Sequence, residues 1–171
     1  MKRYGLVVLI SGLLAACGSS QSVVKQMDRP ATVVARFHLD SIEDRSGESA
    51  PGQFLASIQG YLESDLKQQN LLAADVDRAP RAHIEVTNYR MRGGITRAMF
   101  GAMAGKDGVE SKVTVLAPGS DQVIGASDVS TFNIMAFGGP DDIARMHADK
   151  IAAFLAGDKS DPKANTAASP H

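Results

Sequence analysis

The side chains able to do chemistry are few and scattered. His38, His83, His147 and His171 are the only imidazoles, and Cys17 is the only thiol. His38 and His83 each fall on the more polar face of an alternating segment. If those segments are neighbours in a sheet, the two rings could pair across it and, with Glu85, hold a metal ion. No HExxH and no short His-x-His pair supports that reading, and the expectation is that the chain carries no metal and no cofactor. His147 lies on the apolar stripe of a helical segment, where an imidazole bonded to backbone at the core edge is expected rather than a ligand. There is no G-x-S-x-G elbow for a nucleophilic serine. Glu43-Asp44 and Asp141-Asp142 read as loop and helix-start acids rather than as a general acid/base pair. The expectation is a protein without catalytic residues.

One reaction does fit a lone cysteine. The chain begins MKRYGLVVLISGLLAACGSS: Lys2 and Arg3 are basic, Tyr4–Leu14 is an eleven-residue, mostly apolar stretch, and small residues lead up to Cys17. A spanning helix needs about 20 apolar residues, so this is the pattern of a secretory signal peptide rather than of a membrane helix. Leu14-Ala15-Ala16-Cys17 resembles the lipobox of bacterial lipoproteins. That resemblance implies a diacylglycerol on the Cys17 thiol, cleavage just before it and acylation of the new amine. Several acyl chains on one residue make a stable tether where one holds weakly, since each buried CH₂ contributes about 0.8 kcal/mol. Gly18 follows the cysteine with no Asp beside it, which by the same resemblance implies sorting to the outer membrane, facing the periplasm. Lipidation also accounts for a single thiol in an oxidising compartment.

Composition bounds the rest. The 171 residues suffice for one domain. With 44% apolar and 22% charged residues the chain reads as globular rather than disordered. A net charge of −1, falling to −3 once residues 1–16 with Lys2 and Arg3 are removed, argues against a nucleic-acid partner, as does an aromatic content of only 5%. The expected organisation is a signal peptide over 1–16, a lipidated Cys17 with a flexible tether through residue 30, a domain over 31–157 and a disordered tail over 158–171. As a random coil the tether would span roughly 20 Å.

Within the domain, periodicity sets the elements. Ala31–Leu39 alternates, with Val33, Ala35, Phe37 and Leu39 on one face. Asp40–Ser49 is a polar loop. Pro51–Leu71 carries Phe54, Leu55, Ile58, Tyr61, Leu62 and Leu66 at helical spacing, with Ser49 able to cap and Pro51 suited to the first turn. Arg81–Met91 alternates, placing Ala82, Ile84 and Val86 opposite His83, Glu85, Thr87 and Tyr89. Gly108–Leu116 sets Val109, Ser111, Val113 and Val115 against Glu110, Lys112 and Thr114. Pro118-Gly119 signals a turn into Gln122–Asn133, so the last two strands form a hairpin. Gly139-Pro140-Asp141-Asp142 opens a helix whose stripe is Ile143, Met146, His147, Ile151, Phe154 and Leu155, closed by Gly157. The order is β-α-β-β-β-α. Strands with one wet face predict an α+β two-layer sandwich, an antiparallel or mixed sheet with both helices on one face.

Residues 92–108 interrupt this pattern with five glycines. Ile95, Met99, Phe100 and Met103 are apolar and Arg97 is the central charge. Glycines for tight turns over the core edge explain the segment. So does an adaptable apolar surface for another protein or a second copy, because methionine repacks easily and glycine allows close approach. Gly93, Arg97, Gly101 and Gly105, followed by VESKVTVL, stand at the spacing of the bacterial lipoprotein domain DUF4410, which the chain resembles from about Ala31 to Leu155. Ala117-Pro118-Gly119-Ser120-Asp121 replaces the Asp and Thr-Gly often found in that family's hairpin turn. The resemblance implies no established activity. The expected role is a non-enzymatic binding or structural lipoprotein of an envelope assembly, with an envelope protein partner or self-association through Ile95, Arg97, Met99, Phe100 and Met103. The alternative is a small-molecule or lipid binder using a groove between sheet and helices.

Overall fold

Alternation along the three central strands decides the layering. Ala82, Ile84 and Val86 on one strand, Val109, Ser111, Val113 and Val115 on the next, and Ser127, Val129 and Thr131 on the third are all buried, while the residues between them are half-buried or exposed. One sheet face therefore takes the helices and the other faces water. The computed structural model describes residues 35–75, 77–91, 107–133 and 139–157, and the backbone of 18–27. The elements are β1 (Gly18–Met27), β2 (His38–Leu39), β3 (Glu43–Asp44), α1 (Gly52–Gln68), β4 (Arg81–Arg90), β5 (Asp107–Leu116), β6 (Val123–Asn133) and α2 (Pro140–Ala156). The sheet order is β1-β6-β5-β4-β2, with β3 also on β4. Pairing is antiparallel from β1 to β4 and parallel for β2 and β3 on β4, so the sheet is mixed. The fold is the expected α+β sandwich.

The helices form because their apolar faces have somewhere to go. Phe54, Ile58, Leu62 and Leu66 of α1 are buried, as are Ile143, His147, Ile151, Phe154 and Leu155 of α2. The two helices pack side by side, and α2 lies over β1, β5 and β6. Across their outer seam the Tyr61 hydroxyl donates to Asp141 Oδ2 at 2.7 Å, and the Arg145 guanidinium stands 5.2 Å from the Tyr61 ring centroid. α2 begins as expected: Pro140 occupies the first turn, the Gly139 N–H donates to Asp142 Oδ2 at 2.7 Å, and Gly157 ends the helix in the left-handed region at φ +90°.

Four expectations are corrected. Gly18–Met27, read as tether, is a ten-residue strand paired antiparallel with β6 from Gly18↔Asn133 to Met27↔Gly125. Of the strand expected over 31–39, the described part holds only His38–Leu39 and a bridge from Phe37 to Leu72. Ser49 does not cap α1; it adopts a positive φ of 54°, and Pro51 is the residue before the helix. Tyr89 lies on the helix side, its ring 4.9 Å from that of Phe54. The cause is a bulge: Val86 pairs with Ser111 and Asn88 with Glu110, leaving Thr87 extra and shifting the alternation by one.

Candidate functional site

The expected partner-contact residues Ile95, Arg97, Met99, Phe100 and Met103, the motif glycines Gly93, Gly101 and Gly105, and the lipidation site Cys17 lie outside the described residues. Two other constellations are described.

The first is buried. His147 is fully enclosed between α2 and the sheet. Its Nε2 lies 2.8 Å from Ser111 Oγ and its Nδ1 2.9 Å from Thr131 Oγ1. In the neutral ring one hydroxyl donates to the bare nitrogen and the other accepts from the protonated one. Burial pulls the imidazole pKa from 6.5 down to about 3, so the ring is neutral at any ordinary pH. Nothing in solution reaches this Ser-His-Thr set, and its role is to satisfy polar groups inside the core. The partners are side-chain hydroxyls rather than the backbone groups expected from the sequence.

The second is on the water side, where the parallel pairing of β2 and β3 with β4 gathers side chains distant in sequence. His83 and Glu85 are two apart on β4 and share its outward face. His38 pairs with Arg81, and Glu43 pairs with Glu85. Asp40 sits between these elements. Its Oδ1 is 3.7 Å from His38 Nε2, and its Oδ2 is 3.7 Å from His83 Nδ1 and 4.0 Å from Arg81 Nη1. The other ring nitrogen of His83 stands 3.8 Å from Glu85 Oε1. Arg81 also reaches Asp121 at 3.0 Å. His38, Asp40, Glu43, Arg81 and His83 line an open cleft of about 500 Å³.

The loop after β3 fixes the position of Glu43. Asp44 Oδ1 accepts from the Ser46 hydroxyl at 2.6 Å and from the Ser46 N–H at 3.0 Å, and Oδ2 accepts from the Ala50 N–H at 2.8 Å. These bonds, chiefly those from Ser46, hold the Asp44 carboxyl below its ordinary pKa. With Asp44 turned into the loop, Glu43 faces outward, and Arg45 donates to its Oε2 at 2.8 Å. Glu43, His83 and Glu85 each offer a ligand atom within 4.8 Å of the others. The sequence carried part of this: His83-Ile84-Glu85 on a strand is a legible signal. Glu43 and Asp40 were missed, because a two-residue strand inside a polar loop leaves no period to read.

The space between the layers, where the sequence allowed a small-ligand groove, is filled by Ile58, Leu62, Leu66, Ile84, Ile151 and Leu155, all at 0% exposure.

A family model for DUF4410, a domain of unknown function, matches residues 21–139, which begins within β1 and ends just before α2. The chain belongs to the DUF4410 family. Its fold is similar to that of PelC from Paraburkholderia phytofirmans, solved as a dodecamer: TM-score 0.55, 12% identity, covering 81% of this chain and 96% of that one. A point variant of the same PelC dodecamer gives a TM-score of 0.56 at the same identity and coverage. At that identity the likeness shows a shared fold. No curated protein matches the chain. The match from residue 21 includes most of β1, consistent with that strand being part of the domain rather than a leader to it.

Proposed function

We infer that this DUF4410 chain is a lipoprotein of the bacterial cell envelope, acylated at Cys17 and held at the outer membrane facing the periplasm. It acts without catalysis, as a structural or binding component that associates with further copies of itself. The observation that carries this reading is the register at one end of the sheet. Gly18 pairs with Asn133, Asn133 with Asp107, and Gly108 with Arg90. The chain therefore enters and leaves the apolar, glycine-rich 92–106 segment at the same end at which Cys17 joins β1. A lipid on Cys17 would bring that end to the membrane surface with no tether between, since Gly18 is already strand.

Self-association is supported by two further facts. β1 is the terminal strand of the sheet, and among the described residues no strand pairs with its far edge. The backbone donors and acceptors that point away from β6 along this ten-residue strand are suited to pairing with another chain. The similar PelC fold forms dodecamers.

The experiment is mass spectrometry of the mature N-terminus, followed by light scattering of the detergent-extracted full chain and photo-crosslinking from position 100. The reading expects an acylated Cys17 at the N-terminus, a discrete multimer and a Phe100-dependent cross-link. A chain that starts at Met1 without lipid, or a lipidated chain that stays monomeric and gives no cross-link, overturns it.

A further inference from the structure

The water-side cluster on β3 and β4 contains a feature that the fold alone does not require. Glu43 and Glu85 stand directly side by side in parallel register. Like charges in that position destabilise a strand pair. Asp40 adds a third carboxylate beside His83. Two cations offset part of this charge: Arg45 holds Glu43 Oε2 at 2.8 Å, and Arg81 stands 4.0 Å from Asp40 Oδ2 while its other terminal nitrogen reaches Asp121 at 3.0 Å. Lys112 lies opposite Glu85 from β5.

We propose that Glu43, His83 and Glu85 form a binding site for a divalent transition-metal ion of the zinc class, which clips β3 to β4. The donor set is one imidazole and two carboxylates, which suits a borderline ion and is poor for calcium, which takes six to eight oxygens. The donor atoms lie within 4.8 Å of one another. A tetrahedral ion with ligands at about 2.0–2.2 Å spaces them roughly 3.4 Å apart, so side-chain rotation without backbone movement closes the site.

The surroundings are those of a supported ligand set. His83 turns Nε2 toward Glu85 and Nδ1 toward Asp40 Oδ2 at 3.7 Å. A carboxylate on the far nitrogen of a metal-bound histidine fixes its tautomer and raises its basicity. Arg45 occupies one oxygen of Glu43 and leaves Oε1 to the ion. The side chains of His83 and Glu85 are 27% and 28% exposed, so water can complete the coordination. The proposal does not depend on acylation or self-association, and its failure would leave that reading untouched.

The test is Co²⁺ and Zn²⁺ titration of the full chain, with Cys17→Ser in parallel so that any thiolate-to-cobalt band is recognised as coming from the cysteine. The expected result is one Co²⁺ per chain, with the intense visible bands of a tetrahedral site, displaced by Zn²⁺ but not by excess Ca²⁺. Glu43→Gln, His83→Asn and Glu85→Gln should each weaken binding at least tenfold, and Asp40→Asn about tenfold. Asp128→Asn, on β6, should leave binding unchanged. Zn²⁺ should raise Tm, and His83→Asn should abolish that rise. If His83→Asn does not fold, Glu85→Gln decides the same question. Absence of the visible bands, displacement by Ca²⁺, or a Glu85→Gln chain that binds as tightly as the parent overturns the proposal.

Discussion

The Nε2 atom of His147 lies 2.8 Å from the Oγ of Ser111, joining α2 to the middle of β5 inside the buried layer. That bond and its counterpart to Thr131 make a polar link between the second helix and the sheet. Burial between helix and sheet keeps the ring neutral.

A pH dependence of stability follows. The imidazole pKa falls from 6.5 to about 3 on folding, because burial penalises the charged form. The unfolded chain thus binds the proton more readily than the folded one. Stability from this group is complete above pH 6.5 and declines as pH falls from there toward 3. At pH 5 the loss is about 2 kcal/mol. The Asp65 carboxyl, raised by burial and by its hydrogen bond with Asp149, works in the opposite direction as it takes up a proton. Urea unfolding at pH 7.5 and pH 5 should show the decline. In His147→Gln, which keeps a donor and an acceptor but does not titrate, most of it should vanish. An unchanged pH slope in that variant would refute the assignment.

Removing one hydroxyl should cost more than its bond. Thr131→Val keeps shape but leaves Nδ1 of a fully buried ring without its partner. An unsatisfied buried polar atom costs roughly 1–3 kcal/mol. Ser111→Ala should cost a similar amount. In a double-mutant cycle, Thr131→Val should cost distinctly less once His147 is replaced by Leu, because no imidazole then remains to be stranded. Additive energies would mean the two side chains are not coupled.

This constellation was half legible in the sequence. Alternation already placed Ser111 with Val109, Val113 and Val115, Thr131 with Val129, and His147 among the apolar residues of its helix. What the pattern lacked was a way to bring the three together, which depends on the helix crossing β5 and β6. Strong periods gave α1, α2, β4, β5 and β6 because each buries one face and must repeat at 3.6 or 2 residues. β1 escaped notice because GSSQSVVKQM is mostly polar in sequence and shows no sustained alternation, and only its pairing with β6 makes it a strand. The water-side cluster escaped for a related reason: Asp40 and Glu43 reach His83 only through parallel pairing of two-residue strands.

The bulge at Thr87 makes an unusual deletion tolerable. Val86, Asn88 and Tyr89 already face Ser111, Glu110 and Val109 in unbroken order, with Thr87 outside the count. Removing Thr87 should leave regular alternation, with Tyr89 still against Phe54, and forfeit only the 3.3 Å bond from its hydroxyl to the Glu110 carbonyl. The expected cost is about 1 kcal/mol or less. Removing Glu85 instead would turn Val86 to water and bury Thr87 in its place, at a cost of roughly 2 kcal/mol or more. Chemical denaturation of the two deletions should separate them clearly. Equal losses would show that the bulge is not spare length.

Two glycine-to-alanine changes should have opposite signs, because their surroundings differ. Gly108 lies where β5 meets β6, and an added Cβ would sit 2.9 Å from the Thr131 carbonyl oxygen and 3.4 Å from Phe132 Cβ. Backbone cannot swing aside as a flexible side chain would, so the strands must part, and Gly108→Ala should cost about 1–3 kcal/mol. Gly60 is on the exposed side of α1, and an added Cβ meets nothing within 4 Å. There the methyl only restricts the unfolded chain and favours the helix, so Gly60→Ala should stabilise by roughly 0.5–1 kcal/mol. Thermal melts of the two variants beside the parent read both signs in one experiment. A destabilised Gly60→Ala would mean that the open face of α1 is covered in the protein's working state, and repeating the melt across a dilution series would show whether a second copy covers it.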